Sequence, residues 1–220
     1  MLYRFAVFAL LTVVAASTAH AQTYTLANHS NLMFGNYALT ISNCTYQLNN
    51  GSAGSCASDN VDFTATEHRG ILTISFSNAA NSSSAILSQA SAAGCTCVTY
   101  DLSITNSATV SAATVADTGV NTGGATIDNW MQFTSVSGSP RIDALISRNE
   151  TSAGEPESLP ANTTSISITS GLGLNSAYQA GVLSLNTASL KFTSTPEPAS
   201  LSLLLSACSG LALARRRSRR

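Results

Sequence analysis

The chain has 220 residues, of which only 10% are charged, with 10 basic and 11 acidic side chains and a formal net charge of −1. Five of the ten basic residues lie within the last six positions, so the rest of the chain lacks the clustered Lys and Arg that neutralise phosphates. This distribution excludes nucleic acid as a partner. The abundant Ser, Thr, Asn, Ala and Gly are typical of secreted β proteins; low-complexity disorder is the alternative, against which the periodic apolar stretches argue.

The first 21 residues have the organisation of a secretory signal peptide. Arg4 supplies a positive charge, residues 5–16 form an apolar run, and Ala19-His20-Ala21 is a small-x-small cleavage site. We expect signal peptidase to cleave before Gln22 and the chain that follows to be exported.

Residues 22–194 form the predicted ectodomain, which has a suitable length for one domain with one core. Four basic side chains against ten acidic ones give residues 22–195 a net charge of −6. The near-neutral value of the whole chain therefore hides an acidic body.

Alternation with a period of two predicts strands along this body. The clearest are 37–44, 71–77 and 97–105, where Leu39 and Ile41, or Leu72, Ile74 and Phe76, share one face. Further strands are predicted at 108–115, 125–133, 141–148, 163–169, 181–185 and 189–194. Polar, Gly-containing turns separate them, so we predict an all-β fold, an antiparallel β-sandwich of jelly-roll-like type.

Two local features qualify this pattern. Residues 84–93 are the one segment of the body that could form a short helix. Leu183 and Leu185 have the opposite parity to Leu190 and Phe192, so burying both pairs requires a bulge or turn near Asn186. The last strand is expected to end at Ser194.

Four cysteines lie in the body, at Cys44, Cys56, Cys95 and Cys97. An even number in an exported chain predicts two disulfides, and three pairings are possible. Cys95 and Cys97 should share one face of a strand, where a direct bridge would be strained. We favour either Cys44–Cys56 or the crossed pairing and leave the choice open; the C-x-x-C spacing of a zinc site is absent.

The body contains little that suggests catalysis. Its two histidines are His29 and His68, and no G-x-S-x-G motif presents a nucleophilic serine. His68 could serve as a general base beside Glu67, but a solvated turn before the strand at Ile71 is the preferred interpretation. The acidic residues are scattered singly, without the pairing that glycoside hydrolysis requires. We predict that the protein is not an enzyme.

One binding hypothesis rests on Trp130, the only tryptophan. An exposed Trp on a sandwich can stack on a sugar ring while a neighbouring amide, here Asn129, bonds its hydroxyls. The parity of Trp130 opposes that of Ile127, Met131 and Phe133, which would turn it outward, yet we favour packing in the core.

A second hypothesis concerns calcium. The alternate oxygens of Asp59 and Asp62 are hard ligands of the kind that Ca²⁺ prefers, but the glycine and distal glutamate of an EF-hand loop are missing. A polar turn is the preferred interpretation, so we expect no cofactor.

The C-terminal residues 195–220 form a second targeting segment. An apolar run at 199–214 follows two prolines and precedes Arg215, Arg216, Arg217, Arg219 and Arg220. This pattern predicts a short transmembrane helix with its arginines in the cytoplasm. A buried C-terminal helix with a basic end is the alternative.

The order Pro196-Glu197-Pro198, a short apolar helix and a terminal arginine cluster resembles the PEP-CTERM sorting signal of Gram-negative bacteria. The resemblance covers residues 195–220 only. It implies that exosortase, a membrane-embedded transpeptidase, recognises Pro196, Glu197 and Pro198 and cleaves nearby, and that Arg215 to Arg220 act as the cytoplasmic stop. It also implies an association with exopolysaccharide and biofilm.

Together these features predict an exported, non-catalytic cell-surface or extracellular matrix protein that passes through an inner-membrane intermediate. The alternative function is a carbohydrate-binding module that uses Trp130 and Asn129.

Overall fold

The computed structural model describes residues 21–48, 51–56, 60–90, 94–107, 109–121, 126–135, 141–146, 151–176 and 182–195. Nearly all of the predicted leader and of the predicted C-terminal targeting segment lies outside these ranges. Within them there is no α-helix, and so none that is long and apolar enough to cross a membrane.

The described chain folds into strands that form two antiparallel sheets. The strands are β1 (Gln22–Thr25), β2 (His29–Phe34), β3 (Tyr37–Gln47), β4 (Gly54–Ser55), β5 (Val61–His68), β6 (Ile71–Asn78), β7 (Leu87–Ala90), β8 (Gly94–Asn106), β9 (Val110–Asn121), β10 (Thr126–Phe133), β11 (Arg141–Ile146), β12 (Thr151–Ala153), β13 (Glu157–Ser158), β14 (Ser165–Ser176) and β15 (Val182–Ser194).

The first sheet has the order β1-β5-β6-β15-β9-β12, with β7 paired to β15 and β13 to β9. The second sheet has the order β11-β10-β14-β8-β3-β2, with β4 paired to β3. Each sheet joins strands from both halves of the chain, so neither sheet can form from one half alone. The predicted all-β, two-sheet antiparallel sandwich is confirmed at this level.

The core lies between the sheets and follows from the alternation in the sequence. In β8 the side chains of Val98, Tyr100, Leu102 and Ile104 are all buried, as their shared face predicts. Equivalent rows from the other long strands complete one hydrophobic core.

The prediction of a short helix at 84–93 is wrong for the residues that are described. Leu87–Ala90 forms β7, which pairs with β15 along Val182 to Leu185, and Ile86 and Leu87 are buried. The available sheet edge provides backbone partners and a core position that an isolated helical turn would lack. Residues 91–93 lie outside the described residues.

The bulge near Asn186 is confirmed. The pairing of β15 with β9 shifts in register between Leu185 and Thr187. As a result Leu183 and Leu190, which have opposite parity in the sequence, both point into the core.

The hairpin between β5 and β6 closes through Arg69 and Gly70, with φ values of 53° and 78°. Two positive φ angles characterise the two-residue turn that matches the twist of antiparallel strands. The Gly70 carbonyl accepts three hydrogen bonds, from the Ser194 amide at 2.8 Å, the Ser194 hydroxyl at 2.9 Å and the Tyr37 hydroxyl at 2.8 Å. This carbonyl therefore ties the turn to the end of β15 and to the second sheet.

Candidate functional site

Trp130 lies on the outer face of the second sheet, not in the core as we favoured. It is half-buried, whereas Ile127, Met131 and Phe133 of the same strand are fully buried. Its indole lies over Gly171 of β14, where a Cβ atom would be 2.8 Å from the ring. A glycine at this register position is what allows the bulky ring to lie against the sheet.

One face of the indole is covered by Arg141 of β11, whose guanidinium carbon is 4.4 Å from the ring centroid. Arg141 also forms ion pairs with Asp128 at 3.1 Å and Asp143 at 2.6 Å. The guanidinium is thus held by two carboxylates and by a cation–π contact with the ring. Through Asp128 and Trp130 these contacts link β11 to β10.

Asn129 points the other way, into the sandwich, and is fully buried. Its Nδ2 donates to the carbonyl oxygens of Ala116 at 3.0 Å and Ser189 at 3.4 Å, in the first sheet. Trp130 and Asn129 therefore lie on opposite faces of β10, whereas the predicted sugar site needs both side chains on one face. The period of two makes neighbouring residues in a strand diverge.

Asp117 of β9 is a carboxylate buried inside the sandwich. It is 1% exposed, and neither carboxylate oxygen has a hydrogen-bond partner among the described residues. Burial, with a smaller contribution from the charge of Asp128, raises the pKa of Asp117 to about 7. At neutral pH this carboxyl is therefore close to the midpoint of its titration.

Asp128 is affected in the same direction. Burial and then the charge of Asp143 raise its pKa to about 6, although Arg141 opposes the shift. Like those of Asp117, one of its carboxylate oxygens, Oδ1, is buried without a partner in the described chain.

A shallow groove of about 280 Å³ crosses the outer face of the second sheet, over β3, β8 and β14 and the end of β10. We call it the hydroxyl groove, because the side chains that form its wall are Ser42, Asp101, Ser103, Thr134, Ser167 and Thr169; Leu102 and Ile168 also line it but turn their side chains into the core.

Cys44 and Cys56 form a disulfide with Cα atoms 5.5 Å apart, while the Cα atoms of Cys95 and Cys97 are 5.6 Å apart along β8. Of the pairings left open by the sequence, Cys44–Cys56 is confirmed. Cys95 and Cys97 are both half-buried on the outer face of β8, as their shared parity predicts.

The two histidines of the body lie in different surroundings. His68 is exposed at the end of β5, next to the Arg69–Gly70 turn, in agreement with a solvated turn. His29 contacts the carbonyl oxygen of Thr25 at 2.8 Å through Nε2, and its ring packs edge-on against Tyr24 and Phe63.

The remaining predicted positions are only partly covered. Asp62 lies in β5, while Asp59 is outside the described residues, and the described part of the chain holds no group of three or more His, Cys, Asp or Glu side chains suited to a metal ion. The sorting motif Pro196, Glu197 and Pro198 and the arginines at 215–220 are also outside that part.

Sequence reasoning missed Arg141, Asp117 and the groove. Continuing the alternation of β9 past Val115 would have placed Asp117 inside, since Ala113, Val115 and Asp117 share inward positions. The contact of Arg141 with Trp130 depends on the pairing of β10 with β11, which no local pattern specifies. No protein-family model, no curated protein and no solved structure matches this chain.

Proposed function

We propose that this is an exported, non-catalytic surface or matrix protein whose body is a jelly-roll-like sandwich. A leader at residues 1–21 directs it out of the cytoplasm, and exosortase processes the segment at 195–220. The observation that carries the proposal is the Cys44–Cys56 disulfide within the described two-sheet body.

The Cys44–Cys56 disulfide supports export, because structural disulfides persist in oxidising compartments. Cys56 is fully buried and Cys44 is 8% exposed, so this bond forms part of the core and not of a surface redox pair.

The end of the body is held firmly where processing would occur. The Ser194 amide and hydroxyl both bond the Gly70 carbonyl, and the Thr195 amide donates to the carbonyl oxygen of Thr109 at 2.9 Å. Cleavage after Thr195 would leave these bonds intact, and exosortase would have to reach Pro196 without an intervening stalk. We therefore expect the released sandwich to keep its full stability.

The experiment is the intact mass of the protein recovered from its host, from cell envelope and medium separately. A species that begins at Gln22 and ends close to Pro196 is expected. A species that keeps residues 215–220 would show that the segment is a permanent anchor and would overturn the processing step. Glu197→Ala is the informative variant, since it should block processing, whereas Glu155→Ala, at an exposed position in the body, should leave it unchanged.

A carbohydrate-binding module built on Trp130 and Asn129 is not supported by their contacts. Arg141 covers one face of the indole, and Asn129 is buried between the sheets. A saccharide site on this protein would have to use other residues.

A further inference from the structure

We propose that the hydroxyl groove binds a neutral polysaccharide segment, with Asp101 as its central hydrogen-bond acceptor. The inference rests on the proposed function only in that an exported protein meets such a ligand outside the cell. The binding itself is argued from the groove alone.

The groove consists of two consecutive rows of outward-facing side chains across three strands. The pairing registers align Ser42, Asp101 and Thr169 in one row and Ser103 with Ser167 in the next. Because neighbouring strands are about 4.8 Å apart, the rows present polar groups at regular, short intervals. The side chains are small, and this is why a depression forms here.

Asp101 is held in one orientation from both sides. Thr169 donates its hydroxyl to Oδ1 at 2.7 Å, and Asn43 donates Nδ2 to Oδ2 at 2.7 Å. A carboxylate has about four lone-pair directions, so each oxygen retains acceptor capacity toward the groove. Fixing the carboxylate beforehand reduces the entropy lost on binding.

Asn43 is positioned by a local irregularity in β3. It has a φ of 52°, at the point where the pairing of β3 with β8 shifts between Ser42 and Thr45. The next residue, Cys44, is anchored in the core by its disulfide and by a bond from its amide to Asn28 Oδ1 at 3.1 Å. Bulges of this kind re-aim a side chain, and strained backbone of this kind is concentrated at functional sites.

Three hydroxyls of the groove are available to a ligand. Within the described part of the chain, the side chains of Ser42, Ser103 and Ser167 have no hydrogen-bond partner. A hydroxyl both donates and accepts, and a carboxylate accepts, which matches the hydroxyl groups of a sugar. No Lys, Arg or His is among the residues that line the groove, so an anionic saccharide or a phosphate would find no counter-charge.

The test is isothermal titration calorimetry of the protein as it is purified from its host. The neutral probes are cellohexaose, laminarihexaose and maltohexaose; hexagalacturonate is the anionic probe and spermidine the cationic one. At least one neutral hexasaccharide is expected to bind. Binding of spermidine alone would make Asp101 a cation site, and binding of hexagalacturonate alone, or of no probe, would likewise overturn the inference.

Two variants locate the binding. Asp101→Asn removes the negative charge and replaces one acceptor oxygen by an N–H donor, and should weaken binding about tenfold or more. Ser103→Tyr fills the groove from the outer face and should abolish binding. Its matched control is Ser75→Tyr, on the outer face of β6 in the other sheet, which should bind as the unmodified protein does.

Near-ultraviolet circular dichroism of each variant confirms that it has folded. Equal binding by the unmodified protein and by folded Ser103→Tyr would overturn the proposed location. A protein that is exported and processed but binds no probe overturns this inference and not the proposed function. Saccharide binding by a protein that keeps its leader and stays in the cytoplasm would overturn the proposed function and not this inference.

Discussion

Two regions of the sandwich gather polar groups, and they differ in whether those groups are satisfied. At the Gly70 corner one carbonyl oxygen accepts three donors, from Tyr37 and from the amide and hydroxyl of Ser194. At Asp117, two buried carboxylate oxygens have no partner in the described chain, and Asn129 Oδ1 is in the same condition.

The difference shows that a buried polar group affects the protein in different ways, depending on whether it is hydrogen-bonded. A satisfied buried group fixes one arrangement of the strands, and at Gly70 it holds the end of β15. An unsatisfied buried carboxyl favours its neutral form, so it makes stability depend on pH. Substitutions that remove contacts at the Gly70 corner should therefore lower the stability of the protein, whereas the contribution of Asp117 to stability should depend on pH.

The largest effect is expected for Asp117→Asn. The folded-state pKa of about 7 lies above the ordinary value of 3.8, so the folded protein binds this proton more tightly than the unfolded chain does. The contribution of Asp117 to the free energy of unfolding is fully present below about pH 4 and is lost as the pH rises from about 4 to about 7. At pH 8 the variant should exceed the unmodified protein in unfolding free energy by about 2 to 4 kcal/mol.

Urea denaturation at pH 4.5 and pH 8 measures this difference. Glu155→Gln, an exposed carboxyl change, serves as the control and should leave the fall in stability in place. If the unmodified protein were equally stable at both pH values, the contrast between the two regions would be lost.

The next largest effect is expected for Gly70→Ala, which breaks the satisfied corner. At a φ of +78° an alanine is strained, and its Cβ would lie 2.6 Å from Ser194 Oγ. We expect a loss of about 1 to 3 kcal/mol in unfolding free energy, measured by the same denaturation. Gly54→Ala is the matched control because its Cβ would meet nothing closer than 4.0 Å, and a similar loss there would contradict this explanation.

A smaller loss, about 0.5 to 1.5 kcal/mol, is expected for Ser194→Ala. The variant removes one of the three donors to Gly70, while the Tyr37 hydroxyl and the Ser194 amide remain. A double-mutant cycle with Tyr37→Phe sharpens the comparison, since two donors to one acceptor should couple. Strict additivity would show that the three bonds act independently.

The smallest effect on stability, under about 1 kcal/mol, is expected for Arg141→Gln, because its ion pairs are partly exposed. The visible change should be spectroscopic. Removing the guanidinium uncovers the indole of the only tryptophan, so emission should shift to the red and acrylamide quenching should increase. The conservative Arg141→Lys should show an intermediate shift; unchanged emission in Arg141→Gln would mean that the ring is shielded by other groups.

Much of the fold could be predicted from local patterns, because alternation reports which face of a strand is buried. The face shared by Val98, Tyr100, Leu102 and Ile104 and the bulge near Asn186 are both present. The failure at 84–93 has a different cause. A short apolar segment has no preference strong enough to resist an open edge on β15, and that edge is visible only in the assembled sheet.

The groups at the candidate sites were less predictable. The parity of Trp130 already pointed outward, but its cover by Arg141 comes from the neighbouring strand. The hydroxyl groove draws on β3, β8 and β14, which are far apart in the sequence, and its residues are ordinary Ser and Thr when read singly.

The sequence by itself determined the alternating faces, the positions of most long strands and the acidic character of the body, and it predicts a targeting segment at each end. All of these depend on residues that are neighbours along the chain. Only the tertiary structure decided that Cys44 pairs with Cys56, that Asp117 is buried with no partner among the described residues and that Asp101 is held by Asn43 and Thr169. Strand order and register bring these groups together from distant segments, and the energy that selects them comes from burying both sheets against one core.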